Sequence, residues 1–225
     1  MKKFITLIFS LILLFALCSC EFPSHSGGSS GSSTGGDVDP DPAPVLNEDG
    51  VLEKIKDLLQ IKYGVVTLTV KTTQNNLTLT DEYVVTYGTD FNEVSYSVMK
   101  ANKIIVNDGV ITLPDKEYDI LKGKVKVFKD GTVEKTEGDD VERDFSAISD
   151  VTLDFTKTNF CNATFSETKY KGDVQNPTAF FGNDSLVASD CKIDATFNDS
   201  AISTIKIDYL NADGGTVKIT YSFTK

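Results

Sequence analysis

The sequence holds one histidine, His25, and no tryptophan. Because His25 lies in a Gly/Ser-rich stretch, the rest of the chain has no imidazole. That removes Ser-His-Asp and Cys-His nucleophilic catalysis, in which imidazole moves the proton, along with the commonest metal ligand. There is no Cys-x-x-Cys, no glycine-rich phosphate loop, and no basic stretch interleaved with aromatics. No cofactor is implied, and sugar recognition by ring stacking would depend on the eight Tyr and fourteen Phe. Basic residues are also few, 22 against 33 acidic ones, for a net charge of −11. A chain this acidic repels nucleic acid and anionic bilayers unless a local basic patch intervenes, and none is visible.

What is present begins with Lys2 and Lys3 ahead of an almost unbroken apolar run, Phe4 to Leu17. These are the charged region and apolar core of an export signal. The run falls short of the roughly 20 apolar residues that a helix needs to cross a bilayer. At its end stands Leu17-Cys18-Ser19-Cys20, which resembles the lipobox of bacterial lipoproteins. The resemblance implies cleavage before Cys20 and a diacylglyceryl group on its thiol, and so an extracytoplasmic protein held at the cell membrane or outer surface. Two acyl chains hold a protein stably where one does not, each buried methylene contributing about 0.8 kcal/mol.

Residues 1–19 are then the signal peptide and 20–46 a tether dominated by Gly, Ser, Asp and Pro. Such composition buries too little apolar surface to offset its ordering entropy. About 25 residues of it reach roughly 25–30 Å, enough to clear a headgroup layer. Residues 47–225 form a single β-rich domain. Removing Lys2 and Lys3 from the 22 basic residues leaves 20 against 33 acidic, or −13 for the mature chain.

Cys161 and Cys191 remain, in the strand-like contexts NFCNATF and SDCKIDATF. Two readings stand: a bridge between neighbouring strands, adding roughly 3–4 kcal/mol by chain entropy for a loop of about 30 residues, or two buried thiols. Two thiolates alone do not make a tetrahedral zinc site.

One segment has helical periodicity: in EDGVLEKIKDLLQIKYG, Val51, Leu52, Ile55, Leu58, Leu59 and Ile61 form a stripe, with Asp49 placed to cap it and Gly64 to end it. From Val65 the period becomes two, with Val66, Leu68 and Val70 on one face. Alternation then recurs to the end of the chain. Asp130-Gly131 predicts a two-residue hairpin turn. The final pair should place Ile205, Ile207 and Tyr209 on one face with Val217, Ile219, Tyr221 and Phe223. Weaker helices are expected in PDKEYDILKG and DDVERDFSAIS, and strands in VTLDFTKTNF. The fold class is mainly β (α+β): a long antiparallel meander, since short connections exclude parallel crossovers, forming a curved half-barrel or barrel with the N-terminal helix packed on its apolar side.

A leading helix before a long meander, behind a lipoprotein signal and tether, resembles the LolA/LppX group of lipid and lipoprotein carriers over residues 50–225. The resemblance is one of architecture, and it implies an acyl chain held between sheet and helix.

Two clusters are candidate sites. Glu137, Asp139, Asp140, Glu142 and Asp144 offer carboxylates for a cation or for hydrolysis, yet a charge run beside a turn is ordinarily a solvated loop. In NPTAFFG, Phe180 and Phe181 would point to opposite faces of a strand, one in the core and the other meeting a ligand or partner. The turn Asn211-Ala212-Asp213-Gly214 carries a fragment of a calcium loop but reads better as a hairpin. The sequence therefore points to a lipid-anchored, non-enzymatic binding domain for an apolar ligand such as a lipid, with a surface module for protein or polysaccharide as the alternative. Radiolabelled palmitate should enter the chain in cells and be lost in Cys20→Ser but not in Cys18→Ser. Equal labelling of Cys20→Ser and the wild type would contradict the lipobox reading.

Overall fold

Asn47 starts the first helix: its side-chain oxygen accepts from the Gly50 N–H at 2.8 Å, while Asp49, the expected cap, lies inside the first turn. The computed structural model describes residues 46–62, 64–74, 77–101, 105–107, 110–112, 118–184 and 186–224. The signal, the tether and Cys20 lie outside the described residues, which belong to one compact unit. Helix α1 (Glu48–Gln60) buries Val51, Leu52, Ile55 and Leu58; Ile61 is its C-cap and is exposed. Four such side chains contribute on the order of 6–12 kcal/mol when fully buried, which is comparable with the whole stability of a domain.

Twelve strands follow: β1 (Val65–Gln74), β2 (Leu77–Thr86), β3 (Phe91–Ala101), β4 (Ile105–Asn107), β5 (Val110–Thr112), β6 (Tyr118–Phe128), β7 (Val133–Gly138), β8 (Phe160–Ser166), β9 (Lys169–Val174), β10 (Ala188–Phe197), β11 (Ile202–Asn211) and β12 (Thr216–Thr224). Two short helices, α2 (Phe145–Ser149) and α3 (Pro177–Phe181), lie between strands. Ten strands make one antiparallel sheet in the order β7-β6-β3-β2-β1-β12-β11-β10-β9-β8, and β4 and β5 form a separate hairpin. The first half of the chain meanders from β1 to the β7 edge. The second half meanders back from the β8 edge to β12, which pairs with β1 over nine positions. The sheet does not close, for β7 and β8 are unpaired with each other.

Alternation sets the register. Ile205, Ile207 and Tyr209 stand opposite Tyr221, Ile219 and Val217, as the sequence predicts. On the other face, oppositely charged residues line up across strands: Lys218, Asp208, Lys192 and Asp173 in one row, and Lys206, Asp194 and Lys171 in the next. A one-residue slip would break both rows and turn the apolar face to water. The inner face carries two buried clusters. One joins α1 to β8–β11, Phe155 and Phe180; the other joins β1, β2, β3 and β6 to Phe145 of α2.

Four sequence expectations change. Tyr118–Phe128 is a strand where PDKEYDILKG suggested a helix, and its register against β3 runs unbroken from Phe91 to Ala101. Only the end of DDVERDFSAIS is helical, with Asp144 as N-cap. Val151 to Thr156 is not a strand: Leu153 and Phe155 do alternate inward, but the Asp154 N–H donates to the Phe180 carbonyl at 2.9 Å instead of to a neighbouring strand. The turn after β6 has three residues, not two. Phe128 and Thr132 close it, and Gly131 takes the left-handed conformation (φ +84).

Gly123 and Gly138 face each other across β6 and β7. Their missing side chains let Tyr96 cross the strand and donate to the Asp139 carbonyl. A Cβ on Gly138 would overlap the Lys122 carbonyl oxygen, at φ +89, whereas a Cβ on Gly182, at φ +61, meets nothing within 4 Å. Gly182→Ala should therefore cost about 1–2 kcal/mol for the left-handed backbone alone. Gly138→Ala should add about 1–3 kcal/mol of overpacking to that. Urea unfolding checks the order, and equal midpoints for the two variants would contradict it.

Candidate functional site

The C-terminal half of α1, the irregular segment from Asp150 to Asp154, and α3 enclose an open groove of ≈480 Å³. Its lining mixes Leu59, Val151 and Leu153 with Lys56, Gln60 and Asp154. Local chemistry fixes each wall. Pro177 opens α3 behind the N-cap Asn176, whose side chain accepts from Ala179 at 3.2 Å, and Gly182 ends it in the left-handed region. The opposing segment is held by Asp154, which accepts from the Thr156 hydroxyl at 2.6 Å and from Asn159 at 3.1 Å. These hydrogen bonds, Thr156 first, hold the Asp154 carboxyl below the usual range and keep it charged. At the rim, Lys56 donates to the Thr156 hydroxyl at 3.3 Å and Lys62 pairs with Asp150. The groove thus combines apolar and ionic side chains.

Phe180 and Phe181 lie on α3, not on a strand, and both turn inward. Phe180 is fully buried among Phe155 and Phe160, with centroids 5.7 and 5.5 Å away, and it also backs the groove. Phe181 is partly buried against Tyr209, at 5.8 Å. The sequence read these two as strand residues because a helix of five residues after a proline is too short to display helical periodicity.

Cys161 and Cys191 are not bridged to each other. Strand β9 lies between their strands, and Cys161 stands opposite Asp173, which in turn stands opposite Lys192 on the wet face. Cys191 points the other way, into the core. Two strand spacings put the α-carbons about 9–10 Å apart, beyond the roughly 7 Å limit for a disulfide. Burial pushes the Cys191 thiol up to about 12, so it stays protonated and inert.

Glu137, Asp139, Asp140 and Asp144 of EGDDVERD serve the fold. Asp139 accepts from the Lys122 N–H at 2.9 Å, Asp140 pairs with Lys135 at 2.6 Å, Glu137 with Lys124 at 3.2 Å, and Asp144 caps α2. Between them Arg143 reaches Asp81 and the Tyr83 hydroxyl, both at 3.2 Å, fastening this segment to β2. Among the described residues no group of three or more His, Cys, Asp or Glu is placed to hold a metal. The calcium-like fragment is a hairpin turn, with Asn211 accepting from the Asp213 and Gly215 N–H groups and Gly214 at φ +73.

Burial raises Tyr221 to about 12, with further contributions from the Tyr209 and Tyr87 hydroxyls. Tyr87 also rises to about 12, through burial and then the nearby Asp150.

No known protein family matches the chain, and no curated protein matches it in sequence. Among solved structures it is similar, at 12% identity, to a redesigned beta barrel. That match covers 75% of this chain and 96% of the barrel, with a TM-score of 0.21, which carries no argument. The fold rests on its own strand ladders.

Two measurements follow. In a Cys18→Ser, Cys20→Ser chain, intact mass should be the same with and without reductant; a gain of two hydrogens on reduction would contradict the strand placement. Because Tyr87 and Tyr221 ionise later in the folded chain than in the unfolded one, the folded state holds more protons between pH 10 and 12. Stability should fall across that window. Tyr221→Phe should flatten the fall, and an unchanged slope in urea unfolding would count against its burial.

Proposed function

We propose that this chain is a bacterial lipoprotein, anchored through Cys20 on the extracytoplasmic side of a membrane, whose domain binds an apolar ligand such as a lipid without chemical conversion. In this reading the open sheet acts as a half-barrel, α1 lies over its apolar side, and the ligand occupies the groove beside the helix. The supporting observation is the groove itself, an open hollow of ≈480 Å³ whose lining includes Leu59, Val151 and Leu153 beside Lys62 and Asp150. Small-molecule sites are typically apolar hollows of about 300–1,000 Å³ with a few placed polar groups. Lys62 and Asp150 bridge α1 to the opposite wall at its edge, a surface pair worth at most about 1 kcal/mol and so easily parted.

Mass spectrometry of organic extracts from the purified protein, together with fluorescence of the apolar probe N-phenyl-1-naphthylamine, tests this. Lipid should co-purify and the probe should brighten, with Leu153→Ala weakening both at a cost of about 0.5–3 kcal/mol in urea unfolding, the usual range for one substitution. Neither signal from the wild type would end this proposal and favour the surface-interaction alternative, which a glycan array then addresses.

A further inference from the structure

Strand β7 is shorter than the strand it covers. It pairs with β6 from Gly123 to Val127 only, and Asp139 ends the pairing. The Asp139 N–H donates to the Lys122 carbonyl at 2.8 Å, and its carboxylate accepts from the Lys122 N–H at 2.9 Å. Tyr118 to Leu121 continue β6 beyond that point, paired with β3 on one side and with no described strand on the other. Successive residues of an antiparallel strand turn their backbone groups to alternate neighbours. Those of Lys122 face the β7 side, so those of Ile120 and Tyr118 face it too, and there they meet no described strand.

The side chains here fit such an edge. Tyr118 and Ile120 share the wet face with Lys122, yet they are large hydrophobics, 43% and 50% exposed, opposite Ala101 and Met99 of β3. On the other face Asp119 stands opposite Lys100. Charges alternate in sign along the rows that cross β9 to β12, and this short row reaches the open edge on an acid. Alternating free donors and acceptors are completed by an extended chain that adds itself as a strand. A second copy of this chain fits poorly. Antiparallel pairing about Asp119 would set that carboxylate against its own counterpart, and like charges directly opposite destabilise a sheet. Pairing about Ile120 would run the second strand through the place that Asp139 holds beside Lys122. A segment of alternating apolar and basic residues meets every requirement, with apolar side chains against Ile120 and Tyr118 and a base against Asp119. The net charge of −11 also attracts it at longer range.

We infer that the edge of β6 from Tyr118 to Leu121 docks an extended protein segment of alternating apolar and basic residues, which adds to the sheet as a strand. The contact is short, well below the roughly 1,200–2,000 Å² of stable complexes, so the binding is weak and exchanging. It is independent of the groove and of any ligand held there.

The experiment follows the amide resonances of the isotope-labelled Cys18→Ser, Cys20→Ser chain as it is titrated with the capped peptide Thr-Val-Lys-Val-Thr or Thr-Val-Glu-Val-Thr. The two differ in the residue that would oppose Asp119. The lysine peptide should shift Tyr118 to Leu121 and bind several-fold more tightly than the glutamate peptide, as an attractive cross-strand pair replaces a repulsive one. Ile120→Pro removes an outward N–H at an edge, where proline is tolerated, and should abolish binding with the urea midpoint retained. Ile120→Lys keeps the backbone, adds a charge of the kind that guards edges, and should also abolish it. No binding of the lysine peptide, equal affinity for the two peptides, shifts confined to other residues, or binding unchanged in both Ile120 variants each overturns the inference and leaves the proposed function standing. Sedimentation of the chain alone should give a monomer; a dimer dispersed by Ile120→Lys would assign this edge to a second copy and overturn the inference as well.

Discussion

Val66, Leu68 and Val70 of β1 stand opposite Phe223, Tyr221 and Ile219 of β12, and this ladder holds the two halves of the sheet together. Each half is a local meander in which neighbours in sequence are neighbours in space, so each forms at small loop-closure cost. Joining β1 to β12 brings together residues some 150 positions apart, and its entropy is offset by what the junction buries. Ile219, Tyr221 and Phe223 touch both apolar clusters, so the same side chains that make the ladder also make the core continuous. Helix α1 depends on it as well, because the cluster that receives Val51, Leu52, Ile55 and Leu58 is built on the β10–β12 side of the seam.

An open sheet with a joined middle leaves its two edges exposed, and both are guarded. Strand β7, Val-Glu-Lys-Thr-Glu-Gly, is exposed throughout and charged at Glu134, Lys135 and Glu137; β8 is broken by a bulge at Asn162, φ +51. Charges and bulges discourage pairing with another chain's edge. Between these edges runs the long connection that carries α2, Arg143 and Phe155. It covers the inner face where no strand does, and its meeting with α1 and α3 leaves the groove. The proposed site is therefore a consequence of incomplete closure.

The strands were legible wherever alternation and ladder coincide. From Val65 to Val70, and from Ile205 to Phe223, the side chains that alternate in sequence are those buried in the fold. Val151 to Phe155 misled because alternation reports burial and not pairing: Leu153 and Phe155 face the core with no strand beside them. Tyr118 to Leu121 misled in the opposite direction, since its apolar residues Ile120 and Leu121 are adjacent and suit either period. The short helix α3 was hidden by its length. The absence of imidazole, by contrast, was visible at once and needed no structure.

Native-state hydrogen exchange at the seam tests this account most directly. If the β1–β12 ladder is the joint on which both clusters depend, the amides of Thr67, Thr69, Thr220 and Ser222 that bond across it exchange only through global unfolding, with the free energy that urea denaturation gives for the whole domain. Exchange of those amides at a distinctly lower free energy, while the outer ladders of either half stay protected, would mean that the halves stand independently and would contradict the claim.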